Sequence, residues 1–383
     1  MGAGHDVVFL SKSVEWHAES PQGWRLLSYQ PHRSENHAAL HPYLRRFEKA
    51  VLEGQAAYRA SQQLLQENWI PDVVITHVGF GNGFYLSDAF PKARRLGLFE
   101  WYYNATGSDV DFLNDSTPDP DAALRLRTWN ASLLLELACC DVAVVPTLWQ
   151  QSQFPAGLRA RMRVVHEGID IQSIRIASRN PDDSTLNFPK GPEVEILTYV
   201  TRGFDQYRGF PQVMRAIEVL QRKRPNLHAL IVGADLIAYG AGREDGRSWG
   251  TWARSDLALD PKRTHWLGIL QTKEYRAVLA RSDVHLYFTV PFVLSWSMLE
   301  AMAMGCAIVA SDTPPTREIL THQVDALMVD FFDCMGLVDA VERILNDGGL
   351  ACRLSKAASH ASESYDCRLG CDAWMRLLSE DAD

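Results

Sequence analysis

The sequence predicts a two-domain α/β protein in which each half is a parallel sheet wound on both faces by helices. Three observations carry this. Short runs of β-branched and aromatic residues alternate with helical stretches along the chain, and regular alternation of that kind builds βαβ units with parallel strands. Residues 282–312, SDVHLYFTVPFVLSWSMLEAMAMGCAIVASD, hold one such unit complete: strand, turn, short helix, strand. Between the halves, SRNPDDSTLNFPKG from Ser178 to Gly191 is polar and proline-bearing, as a hinge between domains is. The boundaries this sets are 1–185 for the N-terminal domain, 186–364 for the C-terminal domain and 365–383 for a last helix.

In the first half VVFLS, PDVVITH, RLGLFEWYY, DVAVVPT and RMRVVHEG are the strand candidates, separated by helical stretches such as Leu44 to Gln66 and Ala122 to Ala138. In the second half, GPEVEILTYVTRGFDQYRGFPQVMRAIEVLQRKRPNLHALIVGAD reads as strand, loop, amphipathic helix, strand, and HWLG is a further strand end. Tyr239 to Trp252, with four glycines, charges and two tryptophans, reads as a mobile surface loop, with a lid as the functional alternative.

DVHLYFTV is of strand length and ends at Pro291. Ser295 or Ser297 can cap the helix that follows, and Ser297-Met-Leu-Glu300 has the spacing of a capping box. LEAMAM stops at Gly305 and CAIVAS is again strand-like, so the crossover is right-handed and the Phe292 to Ser297 turn opens at the carboxyl edge of the sheet. There the amides of Ser295, Trp296 and Ser297 leave a helix N-terminus, which favours an anion such as a phosphate. Glu300, one turn in, can accept from a ribose diol or can simply complete the capping box.

With 383 residues, 46% hydrophobic, the chain has material for two or three domains with cores of their own. A net charge of −9 argues against a nucleic-acid carrier, which would carry a basic surplus. Seven scattered cysteines without paired zinc-ligand spacing read as reduced thiols, Cys367 and Cys371 included, although those two lie one helical turn apart. No stretch approaches about 20 apolar residues, and no basic region precedes an apolar core at the N-terminus, so neither a transmembrane segment nor a signal peptide is expected. The expected location is the cytoplasm. Peripheral contact with the inner membrane face is left open by Arg45, Arg46 and Lys49.

Glu300-Ala-Met-Ala-Met-Gly305 resembles the A-M-A-x-G segment of the family-4 retaining glycosyltransferases, and the PFVLSW wording before it resembles a bacterial subgroup of that family. The family's first glutamate of this motif, eight positions earlier, is here Phe292, which changes how the sugar hydroxyls are read. Arg202 and Arg208-Gly209 match the basic residues that follow the first strand of the family's nucleotide domain. Alone they would pass for solvated loop arginines; the resemblance implies diphosphate clamps, with Gly203 beside them. It likewise implies that backbone around Gly268, Ile269 and Leu270 meets the base. The fold implied is GT-B, two Rossmann-like domains facing across a cleft, with the last helix returning to the first domain.

HVGFGNG and the aromatic FEWYY segment with GSDVDF also resemble the subgroup. On that basis His77, Gly79 and Asn82 face the cleft, and Glu100, Tyr102 and Tyr103 line the acceptor side; a hydrogen-bonded strand-end histidine and a core-edge role for the others are the structural alternatives. Asp109-Val-Asp111 mimics the metal-binding motif of the other large transferase fold but lies outside its context, so no metal is assigned. Gly4-His5-Asp6-Val7-Val8 matches a strand that in the family follows a first strand, Gly-rich loop and helix. The resemblance therefore implies a missing first βα unit, through truncation or as a variant with altered or lost catalysis.

The activity implied is retaining transfer of a sugar from a nucleoside-diphosphate donor, UDP- or GDP-linked, to a hydroxyl of a glycan, lipid-linked glycan or small molecule, as in bacterial polysaccharide or glycoconjugate synthesis. Arg202, Arg208, Glu300 and His77 are the catalytic candidates, and no cofactor beyond the donor is expected. A catalytically silent nucleotide-sugar-binding module, a sugar-nucleotide epimerase and a phosphorylase are the rivals. A nicotinamide dehydrogenase is weaker, because no GxGxxG follows the first strand.

Overall fold

The computed structural model describes residues 4–12, 24–36, 38–113, 119–178, 186, 189, 191 and 193–380. Most of the expected hinge, 178–191, thus lies outside the described residues. The chain forms two compact units: residues 1–105, 117–165 and 374–383 make the first, and 106–116 with 166–373 the second.

The first unit holds a four-stranded parallel sheet in sequence order, β3 (Val73–His77), β4 (Arg94–Leu98), β5 (Val142–Val145) and β6 (Met162–Val164). β1 (Val7–Ser11) pairs in parallel with β2 (Trp24–Ser28) as a separate two-stranded sheet. β2 went unread in the sequence. Val8, Leu10 and Leu27 of this pair pack around Leu64, Ala89 and Phe90, so the small sheet closes the end of helix Arg45–Gln66. Helix Pro120–Cys139 starts on an Asp119 cap with proline in its first turn, and lays Leu133 and Leu137 against Val78, Phe99, Ala143 and Val145. Trp374 and Leu377, from the end of helix Cys367–Ser379, pack with Leu96 and Val144.

The second unit is a six-stranded, all-parallel sheet of β7 (Glu195–Gly203), β8 (Leu227–Ala234), β9 (Thr264–Gly268), β10 (Val284–Tyr287), β11 (Ile308–Ser311) and β12 (Leu327–Val329), in the order β12-β11-β10-β7-β8-β9. This is the doubly wound dinucleotide-fold order. The chain runs outward from β7 one way and returns through β10 the other way, so the topological switch point lies between β7 and β10, where ligands bind at carboxyl ends of strands. Successive residues feed opposite faces: Leu197, Tyr199 and Val309 join one core with Val213, Met214 and Ile217 of helix Phe210–Lys223, while Ile308 and Ala310 join the other with Met298, Leu299 and Met302. Burial on both faces is why these strands read as continuous apolar runs.

Two expectations change. The DVHLYFTV ladder stops at Tyr287, because the Thr289 amide donates to Ser311 Oγ (3.0 Å) and the Val290 amide to the Tyr207 carbonyl (2.9 Å). From Ser248 the glycine-rich segment is helix, Trp249–Asp256, with Trp249 and Trp252 buried against the core and Arg243 stacked over both rings. Two buried indoles fix that end, so the segment is not a loop throughout.

Candidate active site

On the second unit the residues singled out from sequence follow β7, β9 and β10, all at the carboxyl edge. Arg208 ends a short 3-10 turn, Gln206–Arg208, which Asp205 caps. Its Nη1 donates to Thr289 Oγ1 (2.9 Å), the Val293 carbonyl (2.9 Å) and the Tyr287 hydroxyl (3.4 Å). These partners lie on and after β10, so the guanidinium spans the switch point. Among the described residues its Nε and Nη2 make no hydrogen bond. Arg202, at the exposed end of β7, makes none with the described residues. A Cβ on Gly203 would come within 2.6 Å of the Leu236 carbonyl, so only glycine lets the 236–238 loop lie this close. Asp205 is fully buried and accepts the amides of Arg208 (3.2 Å), Ala238 (3.1 Å) and Tyr239 (3.0 Å). Burial pushes its pKa up against those donors. It ties both loops of the site together, and sequence reading missed it because its partners are backbone groups.

Phe292 stands in an aromatic enclosure, with the Tyr207 and Tyr239 rings at 5.4 and 5.2 Å and the Arg208 guanidinium at 5.8 Å. The place of the family's carboxylate is thus a π-face. Ser295 is the N-cap of helix Trp296–Met304, and its hydroxyl accepts the Ser297 amide. The Ser295 amide itself donates to the buried Tyr287 hydroxyl (2.8 Å). Among the described residues, of the three amides expected to face an anion only that of Trp296 has no hydrogen-bond partner, and the exposed Trp296 ring stands beside it. The capping-box pairing of Ser297 with Glu300 does not form either: Ser297 lies inside the helix, and Glu300 Oε2 accepts from the Tyr275 hydroxyl (2.7 Å). Burial raises the Glu300 pKa. Its Oε1 accepts no hydrogen bond from the described residues. Gly268 takes a left-handed φ of 67° in open space, Ile269 after it is 77% exposed, and Leu270 packs into the core beneath. A strongly exposed isoleucine at a sheet's carboxyl edge suits the flat face of a base.

Asp109 and Asp111 belong to this unit. Asp111 accepts the amides of Gly107 (2.8 Å) and Ser108 (3.3 Å), and buried Asp109 accepts from the Tyr207 hydroxyl (2.9 Å). Asp109 Oδ1 is buried without a hydrogen-bond partner among the described residues. Among the described residues no three His, Cys, Asp or Glu side chains gather as metal ligands do.

On the first unit, His77 closes β3 with Nε2 3.3 Å from Glu100 Oε2, both side chains roughly half exposed. The exposed Phe80 ring lies 5.1 Å from the imidazole. Tyr102 packs on Phe154, and Tyr103 is pinned by Asn130 on both backbone groups with Arg46 over its ring. The two tyrosines are half-buried edge residues. Arg46, one of the three basic residues noted for a membrane, is engaged here. Asn82 Oδ1 is buried without a partner. The Gly79 amide is taken by Glu136 Oε1 (3.3 Å), a residue of helix Pro120–Cys139 that is 3% exposed. Burial pushes the Glu136 pKa up to about 7. Sequence reading passed over Glu136, since a lone glutamate in a helix gives no signal of burial.

Residues 3–174 match the family model of the glycosyl transferase family 4 group, and residues 195–347 match that of glycosyl transferases group 1. The chain is a glycosyltransferase. Solved structures similar to this transferase show its fold to be GT-B. A glycosyltransferase from Rickettsia africae aligns over 98% of this chain and 90% of its own, with 13% identity and a TM-score of 0.68. Sucrose-phosphate synthase from Thermosynechococcus elongatus aligns over 98% and 89%, with 18% identity and a TM-score of 0.66. HepE of Anabaena, solved with UDP and glucose, aligns over 94% and 86%, with 14% identity and a TM-score of 0.64. Compared by sequence with curated proteins, the transferase has no match.

Proposed function

We propose that this transferase moves a sugar, with retention, from a nucleoside diphosphate to a hydroxyl of a glycan, lipid-linked glycan or small molecule. The observation that carries the reading is Arg208: anchored through Nη1 across the β7–β10 switch point, it holds Nε and Nη2 ready where a doubly wound sheet binds its ligand. A guanidinium oriented in advance stabilises the charge that develops on a leaving diphosphate. Arg202 adds a second cation, and the Trp296 amide adds the positive end of a helix. Glu300 Oε1 accepts from the ribose, and Ile269 and Leu270 bear the base. UDP is the first donor base to try, because HepE, which shares the fold, was solved with UDP and with UDP-glucose.

In this reading the acceptor hydroxyl attacks from the face the diphosphate leaves, and the departing phosphate oxygen takes its proton. No side-chain nucleophile and no metal ion are required. Phe292 gives the sugar an aromatic face in place of a carboxylate, so donor selection rests on shape and C–H contacts. A cytoplasmic site of action goes with a soluble nucleotide-sugar donor and with seven free cysteines; no helix among the described residues is long and apolar enough to cross a membrane. Bacterial polysaccharide or glycoconjugate synthesis is the setting proposed.

The Phe292 enclosure also favours one second reading, a module that holds a nucleotide sugar without turning it over. Calorimetric titration with UDP, GDP and their common sugar conjugates, followed by a hydrolysis assay on whichever nucleotide binds, separates the two. Selective binding lost in Arg202→Ala and Glu300→Ala, with slow donor hydrolysis, supports the transferase mechanism. Binding with no turnover for any hydroxyl acceptor supports the silent module, and no binding by the intact chain overturns the site.

A further inference from the structure

The loop after β3, Gly79-Phe80-Gly81-Asn82-Gly83, is wedged between two helices and has no room for side chains on its inner face. Gly79 and Gly81 adopt φ of 105° and 87°, which other residues take only with strain. A Cβ on Gly81 would collide with the Ala50 backbone of helix Arg45–Gln66, and one on Gly54 of that helix would lie 2.6 Å from the Gly81 carbonyl. On the other side stands Glu136. One oxygen, Oε1, accepts the Gly79 amide at 3.3 Å, and the Gly81 amide nearby favours the ionised carboxylate. Its second oxygen, Oε2, is buried without a hydrogen-bond partner and fills the space a Cβ on Gly83 would need.

A glycine-rich turn with a backbone amide on an anion is a geometry that elsewhere cradles phosphate. Here the anion belongs to the protein itself. We propose that Glu136 is a positioning residue, the internal counter-anion around which the 79–83 loop is shaped, and that it thereby sets the placement of Phe80 and His77 at the carboxyl edge of the sheet. The titratable groups around it fit the role. His77 from β3 is the charge that favours its ionised form, and Glu100 faces the same imidazole from beyond β4. Cys140, at the end of the same helix, is held as a neutral thiol by burial. Helix Arg45–Gln66 presents Glu53, which is paired with Lys12. No cation other than His77 competes for the loop's anion among these groups. The inference does not depend on which nucleotide the second unit binds.

Hydrogen-exchange mass spectrometry and histidine NMR test it in the full chain. In Glu136→Gln, which keeps volume and removes charge, the 77–85 peptide exchanges at least about ten-fold faster, since the Gly79 amide loses its charged acceptor. The His77 titration midpoint falls as one of its two flanking carboxylates disappears. Peptides of β7 and β10 exchange as before. Glu136→Asp, a methylene shorter, restores part of the protection and part of the His77 midpoint. Exchange and midpoint both unchanged in Glu136→Gln overturn the proposal, and so does a merely uniform loss of protection across the first unit. Should Glu136→Gln fail to fold, Glu136→Asp provides the measurement by itself: the 77–85 peptide exchanges faster than in wild type while the β7 and β10 peptides do not. Unchanged exchange of the 77–85 peptide in Glu136→Asp counts against the role.

Discussion

Arg202 and Arg208 look alike in the sequence, but the structure gives them different duties and so predicts different costs. Arg202 has no hydrogen-bond or ion-pair partner among the described residues. Arg202→Ala is expected to leave the melting temperature almost unmoved and to weaken nucleoside-diphosphate binding by roughly 10- to 150-fold, the worth of one charged hydrogen-bonded contact. Arg208→Ala removes the donor to Thr289 and to the Val293 carbonyl, so it lowers stability by about 1–3 kcal/mol as well as losing affinity. Calorimetry and thermal denaturation of both variants check this, and equal stability losses would contradict it. Motif resemblance singled out both arginines. It did not say which one the protein anchors, because the anchors lie 81 and 85 residues downstream and local sequence says nothing of such pairs. The same holds for Ser295, whose amide is taken by Tyr287 eight residues upstream on β10.

At the scale of elements, the 79–83 loop and helix Pro120–Cys139 act as one piece through Glu136, and this gives the first unit a pH signature. Below pH 4.5 the carboxyl is protonated folded or unfolded and contributes no difference. Between 4.5 and about 7 the unfolded chain releases its proton while the folded chain keeps it, so stability falls as pH rises through that window. The full loss is on the order of 3 kcal/mol. Urea midpoints of wild type and Glu136→Gln, compared at about pH 5 and about pH 8, should show the variant gaining relative to wild type at the higher pH; a difference independent of pH would count against a buried, titrating Glu136. Element reading from sequence succeeded where the period was long, as in helices Arg45–Gln66 and Pro120–Cys139. It missed β2 and β12, five and three residues long, because so few residues cannot display a period. It overran β10 because Phe288, Thr289 and Val290 are as strand-like as the residues before them. What ends the ladder is tertiary, the Ser311 side chain and the Tyr207 carbonyl.

For the whole molecule, two units with separate cores and separate sheets let the stabilisation a ligand brings be followed unit by unit. The donor contacts proposed here, Arg202, Arg208, Ile269, Trp296 and Glu300, all lie in the second unit. A ligand stabilises what it binds: at about 100 times its Kd a nucleoside diphosphate adds about 2.7 kcal/mol. That stabilisation should appear in the exchange of β7 and β10 peptides and be absent from β3 and β5 peptides, because multi-domain chains need not unfold as a single cooperative unit. Adding a hydroxyl acceptor with the nucleotide should then bring the first unit's 77–85 peptide into the protected set. Protection rising in both units with nucleotide alone would mean that the donor also takes contacts from His77 or its neighbours. Protection confined to the first unit would place the donor site on the wrong sheet and remove the reason for reading Arg208 as its clamp.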